Sequence, residues 1–171
     1  MSDVKTAPAP KAAIDPVELL QRQLAAEEIV TPFSYKKPDG AAMAKRASVS
    51  LCKTDLFRSE VVVMKSGTGE TNLHYHTAAD GFWMVVKGRV RFYGPEDALI
   101  GEFGPNEGTS MPRYARYWFE NIGEEDLEML HIFANGQPGD HKSGRTDAVE
   151  RPDHMPKIGT ATSRFDAAIR R

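Results

Sequence analysis

The sequence predicts an all-β domain, an antiparallel barrel or sandwich, preceded by one short helix. Residues 45–135 consist of short runs in which apolar and polar side chains alternate, as on strands with one buried face. Clusters rich in glycine, proline or acidic residues separate these runs and are typical of turns. The chain of 171 residues is long enough for one domain with a core and too short for two of ordinary size.

The pattern divides the chain into four segments. Residues 1–13 are rich in alanine, proline and charge, which predicts a disordered tail. Residues 14–44 form a helix and linker, and residues 45–135 form the barrel. Residues 136–171 are polar and turn-rich, so we expect an irregular tail that packs on the barrel or on a partner subunit.

A helix start signal opens the second segment. Asp15 is suited to the N-cap, Pro16 to the first helical position, and Glu18 stands three residues after the cap. Thr31-Pro32 ends the helix. The apolar stripe of this helix consists of Leu19, Leu20 and Leu24. We expect the stripe to pack on the barrel or on a partner.

Nine strands follow from the alternation. They are ASVSLCKT (47–54), SEVVVMKS (59–66), LHYH (73–76), FWMVVK (82–87), RVRFYG (89–94), ALIGEF (98–103), GTSMPR (108–113), RYWFEN (116–121) and EMLHIFAN (128–135). Near the end of the chain, SRFDAAIRR is expected to form a short helix that docks Phe165 and Ile169.

Composition excludes several classes of function. The formal net charge is −2, and lysine and arginine are scattered, which argues against nucleic acid as the main partner. Cys52 is the single cysteine, so no intrachain disulfide forms. The sequence shows no signal peptide and no apolar run long enough to cross a membrane. We therefore expect a cytoplasmic protein with no membrane partner.

Two histidines carry the strongest functional signal. His74 and His76 stand two residues apart on a predicted strand, so alternation points both imidazoles to one face. Such a pair can hold one transition metal, and a nearby acid can supply an oxygen ligand. Asp80 is that acid, four residues after His76.

The order of features from residue 69 to residue 121 resembles the cupin superfamily. Its first motif carries the histidine pair, an acid and an aromatic-aliphatic strand that ends in glycine. The matching residues are Gly69, His74, His76, Asp80 in place of the usual glutamate, the strand FWMVVK, and Gly88. The second motif is matched by Pro112 and Asn121, with Tyr117 where the family has its third histidine.

The resemblance implies a single-domain double-stranded β-helix, or jelly-roll, barrel that holds one divalent transition metal ion (Fe, Zn, Ni or Mn). Its implied ligands are His74, His76, Asp80 and Tyr117. Two departures qualify this set. Counting back from Gly88 at the family spacing reaches Gly81 rather than Asp80. Tyr117 is open to three roles: metal ligand, general acid or filler.

Strand parity adds a further candidate. If Glu128 faces water, the residues that face the cavity are Leu127, Met129, His131 and Phe133. His131 is then a ligand, a hydrogen-bond donor to one, or a core histidine.

The same parity argument applies to the strand before Gly88, where the charged Lys87 is assumed to face water. The residues then predicted to face the inside of the barrel are Asp80, Phe82, Met84 and Val86. This orientation leaves Trp83 and Val85 outside, where their apolar surface predicts a homodimer.

We expect the site to act on a small organic molecule with oxygen ligands. The predicted pocket lining is Phe82, Met84, Phe92, Met111, Phe119 and Phe133, with Arg113 near the mouth as a carboxylate anchor. With Fe(II) the site resembles that of oxygenases. With Zn, Ni or Mn it favours Lewis-acid chemistry of the isomerase, lyase or cyclase type, in which the catalytic residues Tyr117 or His131 move the proton. Tyr117 favours the Lewis-acid chemistry. The alternative function is that of a barrel that binds a small ligand or a metal without catalysis.

Overall fold

The computed structural model describes residues 14–136, 144–149 and 162–169. These fall into two units, one ending at Thr31 and one beginning at Pro32. In the first, helix α1 spans Pro16–Glu28, and Asp15 Oδ1 accepts hydrogen bonds from the backbone N–H groups of the first turn at 2.9 and 3.2 Å. The predicted helix start is therefore confirmed. The predicted tail lies outside the described residues, and packing of the leucine stripe stays a prediction.

The second unit holds eleven strands among the described residues. They are β1 Arg46–Lys53, β2 Phe57–Met64, β3 Gly69–His76, β4 Ala79–Lys87, β5 Val90–Tyr93, β6 Leu99–Phe103, β7 Gly108–Met111, β8 Tyr117–Asn121, β9 Leu127–Asn135, β10 Arg145–Val149 and β11 Thr162–Asp166. The first nine correspond to the nine predicted strands. The part of the chain that the structure describes contains no helix with the length and hydropathy needed to cross a membrane.

The strands form two sheets. One has the order β11-β1-β2-β9-β4-β7 and the other the order β10-β3-β8-β5-β6. All neighbouring strands are antiparallel except β1 and β11. The main core takes side chains from both sheets: Val62, Met64, Trp83, Val85, Val90, Phe92, Met111, Tyr117, Phe119, Leu127 and Met129. The inner faces of the two sheets therefore pack on each other, and the candidate functional residues lie on those faces.

A second apolar cluster involves the other face of the six-stranded sheet. Its buried members are Met43, Ala47, Leu51, Val61 and Val63, and Tyr35, Leu130, Phe165 and Ala167 pack against them. Phe165 lies on β11, which runs parallel to β1 with Val49 as its register partner. The predicted terminal helix is therefore wrong. This segment extends along a sheet edge, and its apolar side chain packs on the sheet face.

The orientation predicted for β4 is also wrong. Trp83 and Val85 are buried, whereas Phe82 and Val86 are 45% and 44% exposed. Opposite β9, Val85 pairs with Met129 and Lys87 with the adjacent Glu128, so Val86 is an extra residue in a β-bulge. Counting back from Lys87 crosses the bulge and exchanges the two faces. The homodimer argument from Trp83 and Val85 loses its premise, because both side chains lie in the core.

The orientation predicted for β9 is confirmed. Leu127, Met129, His131 and Phe133 are all buried. Glu128, expected to face water, is only 7% exposed, and its Oε2 accepts a hydrogen bond of 2.6 Å from the Tyr35 hydroxyl. Burial and this carboxylate raise the pKa of Tyr35 far above its ordinary value. The linker before β1 thus covers a position that a barrel alone would leave to solvent.

Gly88 makes the turn between β4 and β5. Its φ is +86°, and a Cβ at this position would lie 3.0 Å from the Cα atom of Leu127. Both facts favour glycine, since a side chain would be strained and crowded. The glycine that ends the first motif therefore has a structural role.

Candidate functional site

Two groups of polar side chains lie on the inner faces of the sheets. The histidine–tyrosine cluster, on the five-stranded sheet, consists of His74, His76 and Tyr117. The Glu60–His131 pair lies on the six-stranded sheet.

The histidine–tyrosine cluster follows from the register of β3 and β8. His74 and Tyr117 are direct cross-strand partners, and their rings lie 4.4 Å apart. His76 is two residues further along β3, and its ring centroid lies 5.4 Å from that of His74 at an interplanar angle of 86°. Two imidazoles bound to one tetrahedral metal at about 2.0–2.1 Å have centroids roughly 5 Å apart. The spacing of the two rings therefore suits shared ligation.

A backbone contact orients His74. Its Nδ1 atom lies 2.9 Å from the carbonyl oxygen of Asn72, so this nitrogen carries the proton and donates it. The lone pair then belongs to Nε2. Metal-binding histidines commonly donate the second ring N–H to a carbonyl in this way, which fixes both tautomer and ring orientation.

Asp80 does not join the histidines. Its side chain is 57% exposed, Oδ1 accepts a 2.8 Å hydrogen bond from the backbone N–H of Arg113, and the Arg113 guanidinium lies 3.4 Å away. The inward position beside it belongs to Gly81, because alternation on β4 is opposite to the predicted one. Arg113, predicted as a carboxylate anchor for substrate, is paired with this carboxylate.

The Glu60–His131 pair is a cross-strand pair between β2 and β9, and Trp83 is the partner of His131 on β4. The imidazole stacks on the Trp83 ring at 3.5 Å and 12° and lies 3.8 Å from the Phe133 ring. His131 Nδ1 lies 3.6 Å from Glu60 Oε1. Ser48, on β1, donates a hydrogen bond to the other carboxylate oxygen, Oε2.

The two members differ in charge at neutral pH. Burial raises the pKa of Glu60, but the interactions with His131 and Ser48, aided by Arg46, outweigh it and lower the pKa below its ordinary value. Burial lowers the pKa of His131, and Glu60 offsets this only in part. The pair is therefore a carboxylate beside a neutral imidazole.

The other ring nitrogen of His131, Nε2, faces Gly81. A Cβ at residue 81 would lie 3.5 Å from His131 Nε2 and 3.6 Å from Met111 Cβ. Neither ring nitrogen of His131 has a hydrogen-bond partner among the described residues. The glycine keeps the space beside Nε2 free of a side chain.

The predicted lining residues divide into three sets. Phe133 contacts both groups, since its ring lies 5.4 Å from His76 and 3.8 Å from His131. Phe92, Phe119 and Met111 belong to the main core, where the first two pack on each other at 5.0 Å. Phe82 and Met84 alternate with the inward Trp83 and face away from the site, so their predicted place in the pocket is wrong.

The donor set fits a metal only in part. Within residues 14–136, 144–149 and 162–169, no group of three or more histidine, cysteine, aspartate or glutamate side chains is placed to hold a metal ion. The donors that come together are the imidazoles of His74 and His76, with the phenol of Tyr117 beside them.

Sequence reasoning missed Glu60 and Ser48. Alternation on β2 with the buried Val62 and Met64 places Glu60 on the inner face. Its partner His131 on β9 makes it a candidate functional residue, and that pairing cannot be predicted from the sequence of either strand.

Comparisons with known proteins establish the fold. No family model matches the chain, and no curated protein matches its sequence. An uncharacterized conserved protein with a double-stranded β-helix domain from Klebsiella pneumoniae aligns with 68% of this chain and 92% of its own, at 16% identity and a TM-score of 0.54. The predicted double-stranded β-helix fold is therefore confirmed.

Two further solved structures are similar at lower TM-scores. An RmlC-like cupin family protein from Methanocaldococcus jannaschii aligns over 60% of this chain and 88% of its own, at 13% identity and a TM-score of 0.49. A sugar phosphate isomerase of a cupin superfamily from Silicibacter pomeroyi aligns over 64% and 73%, at 20% identity and 0.46. These two likenesses carry no argument about the chemistry of this chain.

Proposed function

We propose that this protein is a metal-binding cupin that acts on a small organic molecule through oxygen atoms of that molecule. The observation that carries the proposal is the geometry of His74 and His76, whose rings lie 5.4 Å apart on the inner face of β3. The bond of His74 Nδ1 to the Asn72 carbonyl leaves Nε2 as the atom for a metal.

The proposed ligands are the two imidazoles, with Tyr117 as a third donor or as a proton donor beside them. Imidazole and oxygen donors suit Fe, Zn, Ni or Mn, and one ion is proposed. So few protein ligands leave coordination positions for the substrate, as catalytic metal sites require. A bound ion would polarise a substrate oxygen as a Lewis acid.

Lewis-acid chemistry is favoured over an iron-dependent dioxygenase. The oxygenase site that the histidine pair resembles needs a carboxylate as its third ligand. The neighbouring carboxylate, Asp80, faces outward and is bound to Arg113, and Gly81 takes the inward position. A reaction of the isomerase, lyase or cyclase type also needs a group that moves a proton. His131, buried and neutral, is proposed for that role.

The test is the metal content of protein purified without chelator or histidine tag. We expect about one equivalent per chain, lost in His76→Ala because one of two imidazole ligands is removed. Asp80→Asn is the matched control and is expected to keep the metal, since Asp80 faces outward. A wild-type protein that takes up none of Fe, Zn, Ni or Mn would contradict the metalloenzyme proposal, and loss of metal in Asp80→Asn would restore Asp80 as a ligand.

A second candidate is a binding module without catalysis. Two observations favour it. Tyr117 stands where the family has its third histidine, and Gly81 stands where the family spacing, counted back from Gly88, expects the acid. This candidate predicts ligand or metal binding that His131→Ala leaves unchanged, with no turnover in either protein.

A further inference from the structure

The Glu60–His131 pair is a half-buried carboxylate beside a buried imidazole, and neither belongs to the proposed metal ligands. Glu60 and Trp83 flank His131 on the two neighbouring strands. The imidazole is 2% exposed and stacked on the Trp83 ring at 3.5 Å. Because stacking fixes its plane and both neighbours confine it, the two ring nitrogens point in defined directions.

The two ring nitrogens of His131 have different neighbours. Nδ1 lies 3.6 Å from Oε1 of Glu60, whereas Nε2 lies beside Gly81, 3.5 Å from where a Cβ would stand. The first distance exceeds that of a direct hydrogen bond, so the contact is electrostatic. A carboxylate attracts an N–H and repels a nitrogen lone pair, and burial strengthens both effects. Glu60 therefore favours the proton on Nδ1 and the lone pair on Nε2.

Glu60 is itself held by the adjacent strand. Ser48, which is buried, donates its hydroxyl proton to Oε2, so Oε1 is the oxygen presented to His131. The three side chains lie in order on β1, β2 and β9. They form a line of polar contacts that ends at the space beside Gly81.

We propose that Glu60 is a positioning residue that holds His131 in the Nδ1–H tautomer, so that Nε2 accepts a hydrogen bond or a proton from a hydroxyl group of a small ligand. When Nε2 takes up that proton, the ring becomes an imidazolium and the Glu60 carboxylate balances its charge, as in other carboxylate–histidine pairs. The catalytic use of Nε2 rests on the function proposed above, whereas the tautomer does not.

The tautomer is measured by long-range ¹H–¹⁵N correlation NMR of the histidine rings near neutral pH. The full-length protein is used both zinc-loaded and metal-free, and His131→Gln assigns the His131 signals. We expect a protonated Nδ1 and an unprotonated Nε2 in the wild type in both states. Glu60→Gln is expected to give a mixture or the opposite tautomer, because an amide offers N–H groups as well as a carbonyl to Nδ1.

Glu128→Gln is the matched control. It makes the same chemical change at a second carboxylate of the same sheet, which is buried and accepts a hydrogen bond from Tyr35. We expect the wild-type tautomer of His131 in this variant. Ser48→Ala, which keeps the Glu60 charge but removes its anchor, is expected to add a fraction of the second tautomer.

A wild-type His131 protonated on Nε2 would overturn the proposal, and so would an unchanged tautomer in Glu60→Gln. If Glu60→Gln fails to fold, Ser48→Ala takes its place, and a Ser48→Ala spectrum equal to that of the wild type would overturn the proposal. A wild type that binds no metal but shows Nδ1–H on His131 would contradict the proposed function and leave the tautomer proposal standing.

Discussion

The inner faces of the two sheets use histidine in different ways. On the five-stranded sheet, Nδ1 of His74 donates a hydrogen bond to a neutral backbone carbonyl, which fixes the ring without adding charge. On the six-stranded sheet, Nδ1 of His131 faces the carboxylate of Glu60. A carbonyl suits a neutral metal ligand, whereas a carboxylate also stabilises a ring that gains a proton. The neighbours of each histidine therefore determine which chemistry it supports.

The two sites also arise from different parts of the topology. His74 and His76 come from one strand, so their common face follows from alternation alone. Glu60, His131 and Trp83 come from three strands and meet only because β9 lies between β2 and β4. The histidine pair is local in the sequence, whereas Tyr117 beside it and the whole Glu60–His131 pair depend on strand pairing.

The sharpest test of this difference is His131→Ala. We expect the metal content to stay at the wild-type value, while turnover of a substrate falls by roughly 10²–10⁴-fold, the usual contribution of a general acid or base. Metal analysis and a turnover assay on the same preparation measure both. Loss of the metal would make His131 a ligand and join the two sites into one.

The core position of Trp83 predicts a large effect on stability. Trp83→Ala would leave a cavity and remove the stacking surface of His131, so we expect the free energy of unfolding to fall by about 3–5 kcal/mol. Phe82→Ala, on the adjacent outward residue, is the matched control and should change it by about 0.5 kcal/mol or less. Urea titrations measure both. Equal effects would contradict the orientation of β4.

Sedimentation of the wild type addresses the homodimer, which stays a prediction. Since Trp83 and Val85 are buried, any such interface would use other residues of the surface.

A smaller loss of folding stability is expected at acidic pH. The pKa of His131 in the folded protein lies below its ordinary value of 6.5, at about 4, so the unfolded chain binds more protons between these values. Stability is therefore fully present above about pH 6.5 and is lost as the pH falls toward 4. In metal-free protein, His131→Phe should reduce this slope in urea titrations at stepped pH. An unchanged slope would show that His131 titrates normally in the folded state.

Alternation and turn chemistry were sufficient to locate the first nine strands, the helix start and the common face of His74 and His76. These features depend on neighbouring residues, whose side-chain directions follow from the local backbone period. The same reasoning failed on β4, where a bulge at Val86 reverses the direction of every residue counted through it. The inward prediction for Phe82 and Met84 failed for that one reason, whereas that for Asp80 also depended on its position after His76 and on the family resemblance.

Local pattern therefore established the barrel strands and one pair of candidate metal ligands. Tertiary structure decided which residues of β4 face the core, brought Glu60 and Ser48 to His131, and added β10 and β11 to the edges of the two sheets. The physical reason is that a strand's period is set by its own backbone, whereas register, bulges and partners are set by packing between distant segments.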